Sequence, residues 1–218
     1  MKLRFAYLLI LITSISNAQR LDLFTSETDK IWNKGVAERV PYKGTTGYYD
    51  YMPMDAVPDT IVDGKPSYFL YFNIPYEVNE IGVRFITPVP SYAFAVAGDV
   101  VTETFESNKN DKSYFDPYMQ LEQWRDHTTD TAAQFIPHWQ VLRKNDDSDE
   151  VIAQPSGKFT NALLRVYAGM YPPGIYRLCF FAVKKSIMQG TYLVHVGTVP
   201  GVKRMKMGRS IKALETEN

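Results

Sequence analysis

With one cysteine, Cys179, in 218 residues, the chain can form no internal disulfide and carries no C-x-x-C metal or redox motif. Its stability has to come from packing, helped where the residues allow by a bound ion. There are only three histidines, His127, His138 and His195, and none sits in an H-E-x-x-H arrangement. A recognisable zinc set is therefore missing. The G-x-S-x-G nucleophile elbow, the P-loop and the dinucleotide fingerprint are missing too, which removes the usual sequence grounds for a hydrolase, an NTPase or a dehydrogenase. Neither sign of charge is in excess, with 24 basic and 24 acidic residues. A general nucleic-acid binder shows a strongly basic footprint, so that class is not expected. Nor is there an apolar run of the roughly 20 residues that a membrane-spanning helix needs.

The N-terminus carries a shorter apolar run. Lys2 and Arg4 precede residues 5–12, all apolar or aromatic, and Ser16-Asn17-Ala18 follows before Gln19. This is the pattern of a secretory signal peptide over residues 1–18. A mature chain beginning near Gln19 would be secreted, periplasmic or on the outer surface. No cysteine lies near the cleavage point, so lipid anchoring through cysteine is not expected. Without Lys2 and Arg4 the balance is 22 basic to 24 acidic residues, a formal charge near −2.

About 200 residues remain, most simply one domain over 19–218. Fifteen Tyr, twelve Phe and three Trp are concentrated in short runs separated by turn residues. Residues 68–74 and 81–86 read as strands, as do 118–124, 139–143, 162–167, 174–183 and 190–196. Asp63-Gly64-Lys65 and Pro172-Pro173-Gly174 mark turns. Cys179 falls inside a strand-like run and reads as a buried core thiol. His195, in the alternating run at 190–196, reads as structural. The spacing predicts a mostly β chain, an antiparallel β-sandwich. Two short peripheral helices are expected, at 98–107, with Val100, Val101, Thr104 and Phe105 on one face, and at 21–32. Residues 203–218, with Lys203, Arg204, Lys206, Arg209 and Lys212, read as a basic, partly helical or flexible tail, either solvated or a patch for acidic partners.

Candidate chemistry is sparse. Asp126 and His127 could imitate part of a catalytic triad, but no nucleophile motif accompanies them, so the chain is not expected to be an enzyme. Tyr48, Tyr49 and Tyr51 could form a platform for sugar rings, the basis of a carbohydrate-binding alternative. The acidic run KNDDSDEV (residues 144–151) places Asn145, Asp147 and Asp149 at the opening spacing of an EF-hand loop. Glu150 stands where that loop needs glycine and Ser156 where it needs a bidentate glutamate, so the EF-hand reading fails. A solvated loop and a loop contributing to a multi-segment calcium site both remain open.

Several blocks in order carry a resemblance: Val40-Pro41-Tyr42, Gly47-Tyr48-Tyr49-Asp50-Tyr51, Ile61-Val62-Asp63-Gly64-Lys65, YFLYFNIPYEVNEIGVRFITP (68–88), Gly98-Asp99-Val100-Val101, FDPYMQLEQ (115–123), the acidic run, KFTNALLRV (158–166), PGIYRLCF (173–180) and GTYLVHVG (190–197). Their order and spacing resemble the family of the major surface lipoprotein of pathogenic leptospires, the haemolysis-associated protein, from about residue 40 to 202. The resemblance implies a jelly-roll-like β-sandwich with short peripheral helices. It also implies a Ca²⁺ site built from Asp116 with Pro117, Asp146 with Asp147, and Phe159, in which Pro117 and Phe159 offer only main-chain carbonyls. Where the family carries Thr and Tyr, this chain has Pro117 and Phe159. The longer acidic run also leaves Asp147 with Asp149 as an alternative register. The partners implied are extracellular-matrix proteins such as collagen, laminin and fibronectin, with polysaccharide as the alternative.

Overall fold

The computed structural model describes residues 23–125, 138–145, 151–154, 157–183 and 188–215, with only the backbone described at 138, 151–154 and 157–158. The expected signal peptide at 1–18, Asp126, His127 and the acids of the 146–150 run lie outside these residues.

Fourteen strands are described. A hairpin, β1 (Thr25–Asn33) and β2 (Val36–Pro41), stands apart as a two-stranded sheet. The remaining strands are β3 (Thr46–Met52), β4 (Thr60–Val62), β5 (Lys65–Ile74), β6 (Glu80–Thr87), β7 (Val100–Val101), β8 (Pro117–Arg125), β9 (His138–Asn145), β10 (Val151–Gln154), β11 (Gly157–Val166), β12 (Gly174–Ala182), β13 (Gly190–Val199) and β14 (Met207–Gly208). One sheet has the order β10-β11-β6-β13-β3-β7, the other β14-β5-β12-β8-β9 with β4 paired to β5. The pairings are antiparallel except β3 with β7. From β3 onward the chain repeatedly crosses between the two sheets, the jelly-roll-like winding that the resemblance implied.

Alternation builds the core. On β5, Tyr68, Leu70, Phe72 and Ile74 point inward, and on β12 Tyr176, Leu178 and Phe180 do the same. They meet Ile81, Val83 and Phe85 of β6. Phe85 sits at the centre, its ring 5.1 Å from Phe180 and 5.4 Å from Tyr192. The period-2 pattern separates a packed face from its opposite at no cost in backbone hydrogen bonds. Cys179 lies on the face opposite Leu178 yet is buried, and burial pushes its thiol up to about 12. It behaves as the small core residue expected. His195 is held by an Arg84 Nη2 contact to Nδ1 at 3.0 Å and stacks on Phe24.

The predicted turn at Asp63-Gly64 is real. Both residues have positive φ, 50° and 75°, as the type I′ turn joining β4 to β5 requires.

Three expectations need correction. Over 23–32, the described part of the helix expected at 21–32, there is no helix, since β1 occupies 25–33. Its polar residues bond to the Glu80 carboxylate, a long-range partner that local propensity cannot foresee. The helix expected at 98–107 is shorter and later, α1 at Glu103–Asn108, capped by the Thr102 side chain on the Phe105 N–H. Val100 and Val101 are instead a short strand beside Tyr48 and Tyr49. The C-terminal stretch is not a solvated tail. Met205 and Met207 are buried, β14 pairs with β5, and a 3₁₀ turn at Ile211–Leu214 buries Leu214. Lys203, Arg204 and Lys212 stay exposed, whereas Arg209 turns inward over the Tyr68 and Phe180 rings.

Candidate calcium centre

Three sequence-predicted positions lie within the described residues. Asp116 is the residue before β8, Pro117 the first residue of that strand, and Phe159 belongs to β11. Proline lacks the N–H that an interior ladder position would use, so a strand start suits it. The Asp116 main-chain carbonyl is already engaged, accepting from the Val183 N–H at 2.8 Å.

The starts of β8 and β11 come together. The Thr160 hydroxyl donates to the Thr87 carbonyl at 3.2 Å and reaches the Phe115 carbonyl at 3.5 Å. Thr160 follows Phe159 and Phe115 precedes Asp116, so the two expected ligand segments are spatial neighbours although they are distant in the chain. Register also brings both flanks of the acidic run to this corner. Asn145, its last described residue on the N-terminal side, pairs with Met119 of β8. Val151, the first on the C-terminal side, pairs with Thr160. The Asn145 side-chain amide additionally donates to the Leu163 carbonyl, tying β9 to β11. Asp146 and Asp147, and the alternative Asp149, lie outside the described residues. Among the described residues no group of three or more His, Cys, Asp or Glu side chains converges as a metal cage.

The donor chemistry at this corner fits a hard cation. Asp116 Oδ1 is buried and has no hydrogen-bond partner. A buried, unpaired carboxylate oxygen is costly, and Ca²⁺ is bound by such oxygens together with main-chain carbonyls, six to eight in all. Asn161 Oδ1 is likewise buried without a partner, two residues beyond Phe159 on the same strand. The sequence reading did not single Asn161 out. Its one signal was a polar amide inside an otherwise apolar strand run.

The other expected surface does not exist. Tyr48 and Tyr49 are buried. Tyr48 points into the core and bonds Asp50 Oδ2, while Tyr49 packs outward under Phe105, ring centroids 5.3 Å apart. Residues 88–105 cover this sheet, with Val89, Tyr92 and Ala93 joining Phe159, Ile86 and Leu193. Tyr51 donates its hydroxyl to Asp111 at 2.9 Å. A platform of these three tyrosines is thus overturned: alternation puts neighbours on opposite faces, and here both faces are packed.

Residues 36–206 match the family described as surface lipoproteins of the order Spirochaetales. The chain belongs to that family. The match spans most of the sandwich, from β2 to the residue before β14, and includes all five positions of the expected site. Membership assigns the protein a surface-associated role. No curated protein matches the chain. Among the described residues no helix is long and apolar enough to cross a membrane.

Two further clusters of this family member are structural. Glu80 is fully buried on β6 and accepts from Ser26 Oγ at 2.9 Å, from the Glu27 and Thr28 amides at 2.8 Å, from Thr28 Oγ1 at 2.5 Å and from the Tyr42 hydroxyl. Burial works against its charge, but these bonds win and hold its carboxyl below the ordinary value of 4.5. Asp50 accepts from Tyr192 at 2.9 Å, Thr102 at 2.7 Å and Thr104 at 2.6 Å, fastening α1 to the sheet. Sequence inspection had no means of marking either carboxylate as buried.

Proposed function

We propose that the protein is a non-enzymatic, calcium-binding β-sandwich of the cell surface that serves as an adhesion or ligand-binding module. Asp116, Asp146 and Asp147 supply carboxylates to Ca²⁺, and Pro117 and Phe159 supply main-chain carbonyls. Asp147 with Asp149 is the alternative register. The observation that carries this reading is the buried, partnerless Asp116 Oδ1 at the corner where β8 and β11 meet. Three carboxylates brought close without a cation repel one another, and a divalent ion removes that repulsion. The ion then favours the folded state by mass action. The partners proposed are extracellular-matrix proteins, with polysaccharide as the alternative class.

The test is thermal unfolding in chelator and in millimolar calcium, followed by solid-phase binding to collagen, laminin, fibronectin and a glycan array under both conditions. A calcium-dependent rise in melting temperature that Asp116→Ala and Asp146→Ala abolish supports the site. An identical melting temperature in both conditions overturns it.

A further inference from the structure

The β1–β2 hairpin has features that the sandwich does not explain. Residues 30–39 are ten consecutive exposed positions, and they include Trp32 at 78% exposure, Val36 at 62% and Ile31 at 55%. A two-stranded ribbon has no second layer on which to bury apolar side chains, and by itself it is marginally stable in water. This one is instead held firmly at its base. Glu80 grips Ser26, Glu27 and Thr28, and Tyr42 lies across Gly82 and Gly197, where any Cβ would collide with its ring. The register slips between Thr25 and Lys30, and Ser26 Oγ accepts from the Thr28 and Asp29 amides inside that irregularity. Such a bulge re-aims the ribbon that follows it.

The chemistry of the projecting half is specific. Pairing of Lys30 with Arg39 and Trp32 with Ala37 puts Lys30, Trp32, Ala37 and Arg39 on one face. Lys34 and Gly35 make the turn, both with positive φ. Between 30 and 39 there are three cations, Lys30, Lys34 and Arg39, and one anion, Glu38, a net charge of +2. Glu38 is engaged by the Asn33 amide and Arg39 by Glu27, which leaves the two lysines beside the tryptophan. Indole is apolar with one N–H donor and settles at the headgroup boundary of a bilayer, and lysines nearby favour anionic lipid. Four paired rungs and a turn project about 10–13 Å, enough to reach the depth of about 5–10 Å at which interfacial segments bury their apolar side chains.

We propose that the hairpin tip seats in the headgroup region of an anionic lipid surface, with Trp32 as its anchor and Lys30 and Lys34 as its phosphate contacts. Family membership gives the protein a surface-associated role, but the family match begins at residue 36 and does not include Trp32. The inference therefore rests on this chain's own residues and is independent of the calcium reading.

The test uses the chain from Gln19 with vesicles of phosphatidylcholine alone and of phosphatidylcholine mixed with phosphatidylglycerol, read by co-sedimentation and by tryptophan quenching with brominated lipid. Binding to the mixed vesicles is expected, weakening with added salt. Trp32→Ser should weaken it by about tenfold or more, and Lys30→Glu with Lys34→Glu should abolish the preference for anionic lipid. These positions are exposed, so melting temperature should not change, and that equality shows the variants are folded. No binding to either vesicle, or binding unchanged in Trp32→Ser, overturns the proposal. So does a Trp32-dependent dimer in sedimentation velocity without vesicles, which would make a second copy of the chain the occupant.

Discussion

Arg209 and Asp59, far apart in the chain, form an ion pair at 2.8 Å that locks the C-terminal stretch onto the sheet edge. The guanidinium also lies over the Tyr68 and Phe180 rings, at 5.6 and 5.5 Å from their centroids. Asp59 in turn accepts from the Phe69 amide at 2.8 Å. The pair is about one-third exposed, so its Coulombic part is screened and the packing of the planar guanidinium carries much of its value. Arg209→Ala should cost about 1–2 kcal/mol in urea unfolding. Arg209→Lys keeps the charge but not the planar group, and should recover only part of that.

Glu80 sets a dependence on acid. Its folded carboxyl titrates below the ordinary 4.5, so its contribution is complete above pH 4.5 and is lost as the pH falls through the folded value. Glu80→Gln leaves several donors facing a poorer acceptor and should cost about 2–4 kcal/mol at pH 7. The gap between the two proteins, read as melting temperature against pH, should close as the pH drops below 4.5.

His195 acts in a neighbouring window. Burial, and then the Arg84 guanidinium, push it down to about 3 from an ordinary 6.5. The unfolded chain therefore takes up a proton between pH 6.5 and 3 that the folded chain refuses. Stability is complete above 6.5 and falls by about 1.4 kcal/mol for each pH unit below it. The His195 ring resonance should not titrate between pH 8 and 4.5. In His195→Gln, which keeps an acceptor for Arg84, the slope near pH 6 should flatten.

Calcium, if bound as proposed, should raise the melting temperature by about 5–10 °C at a hundredfold excess over Kd. Asp116→Asn should reverse the order of stabilities. In chelator it removes an uncompensated buried charge and should unfold at or above the temperature of the unmodified chain. In calcium it should unfold below it. Equal behaviour in both buffers would count against Asp116 as a ligand.

Much of the sandwich could be read from short runs rich in aromatic and branched apolar residues and separated by turn residues. Residues 68–74, 81–86, 118–124 and 174–183 are such runs, and strands are the elements that suit them. Strands whose partners lie far off were harder. β1 is held by Glu80, a partner remote in the chain, and β14 is a single pair of residues, so neither leaves a local period to find. The candidate site divides the same way. The residue types of Asp116, Pro117 and Phe159 entered through resemblance, whereas the approach of Thr160 to Phe115 depends on how β8 and β11 are placed.

By itself, the sequence determined the class of fold, the burial of Cys179, the hairpin turn at Asp63-Gly64 and the absence of the common catalytic and zinc motifs, because each depends on residues close together in the chain. Only the tertiary structure decided that Tyr48 and Tyr49 are packed on both faces of their sheet, that Arg209 is a clasp and not part of a solvated tail, and that Trp32 is left outside. Burial is a property of neighbours, and those neighbours are assembled by pairings between distant segments that no local pattern encodes.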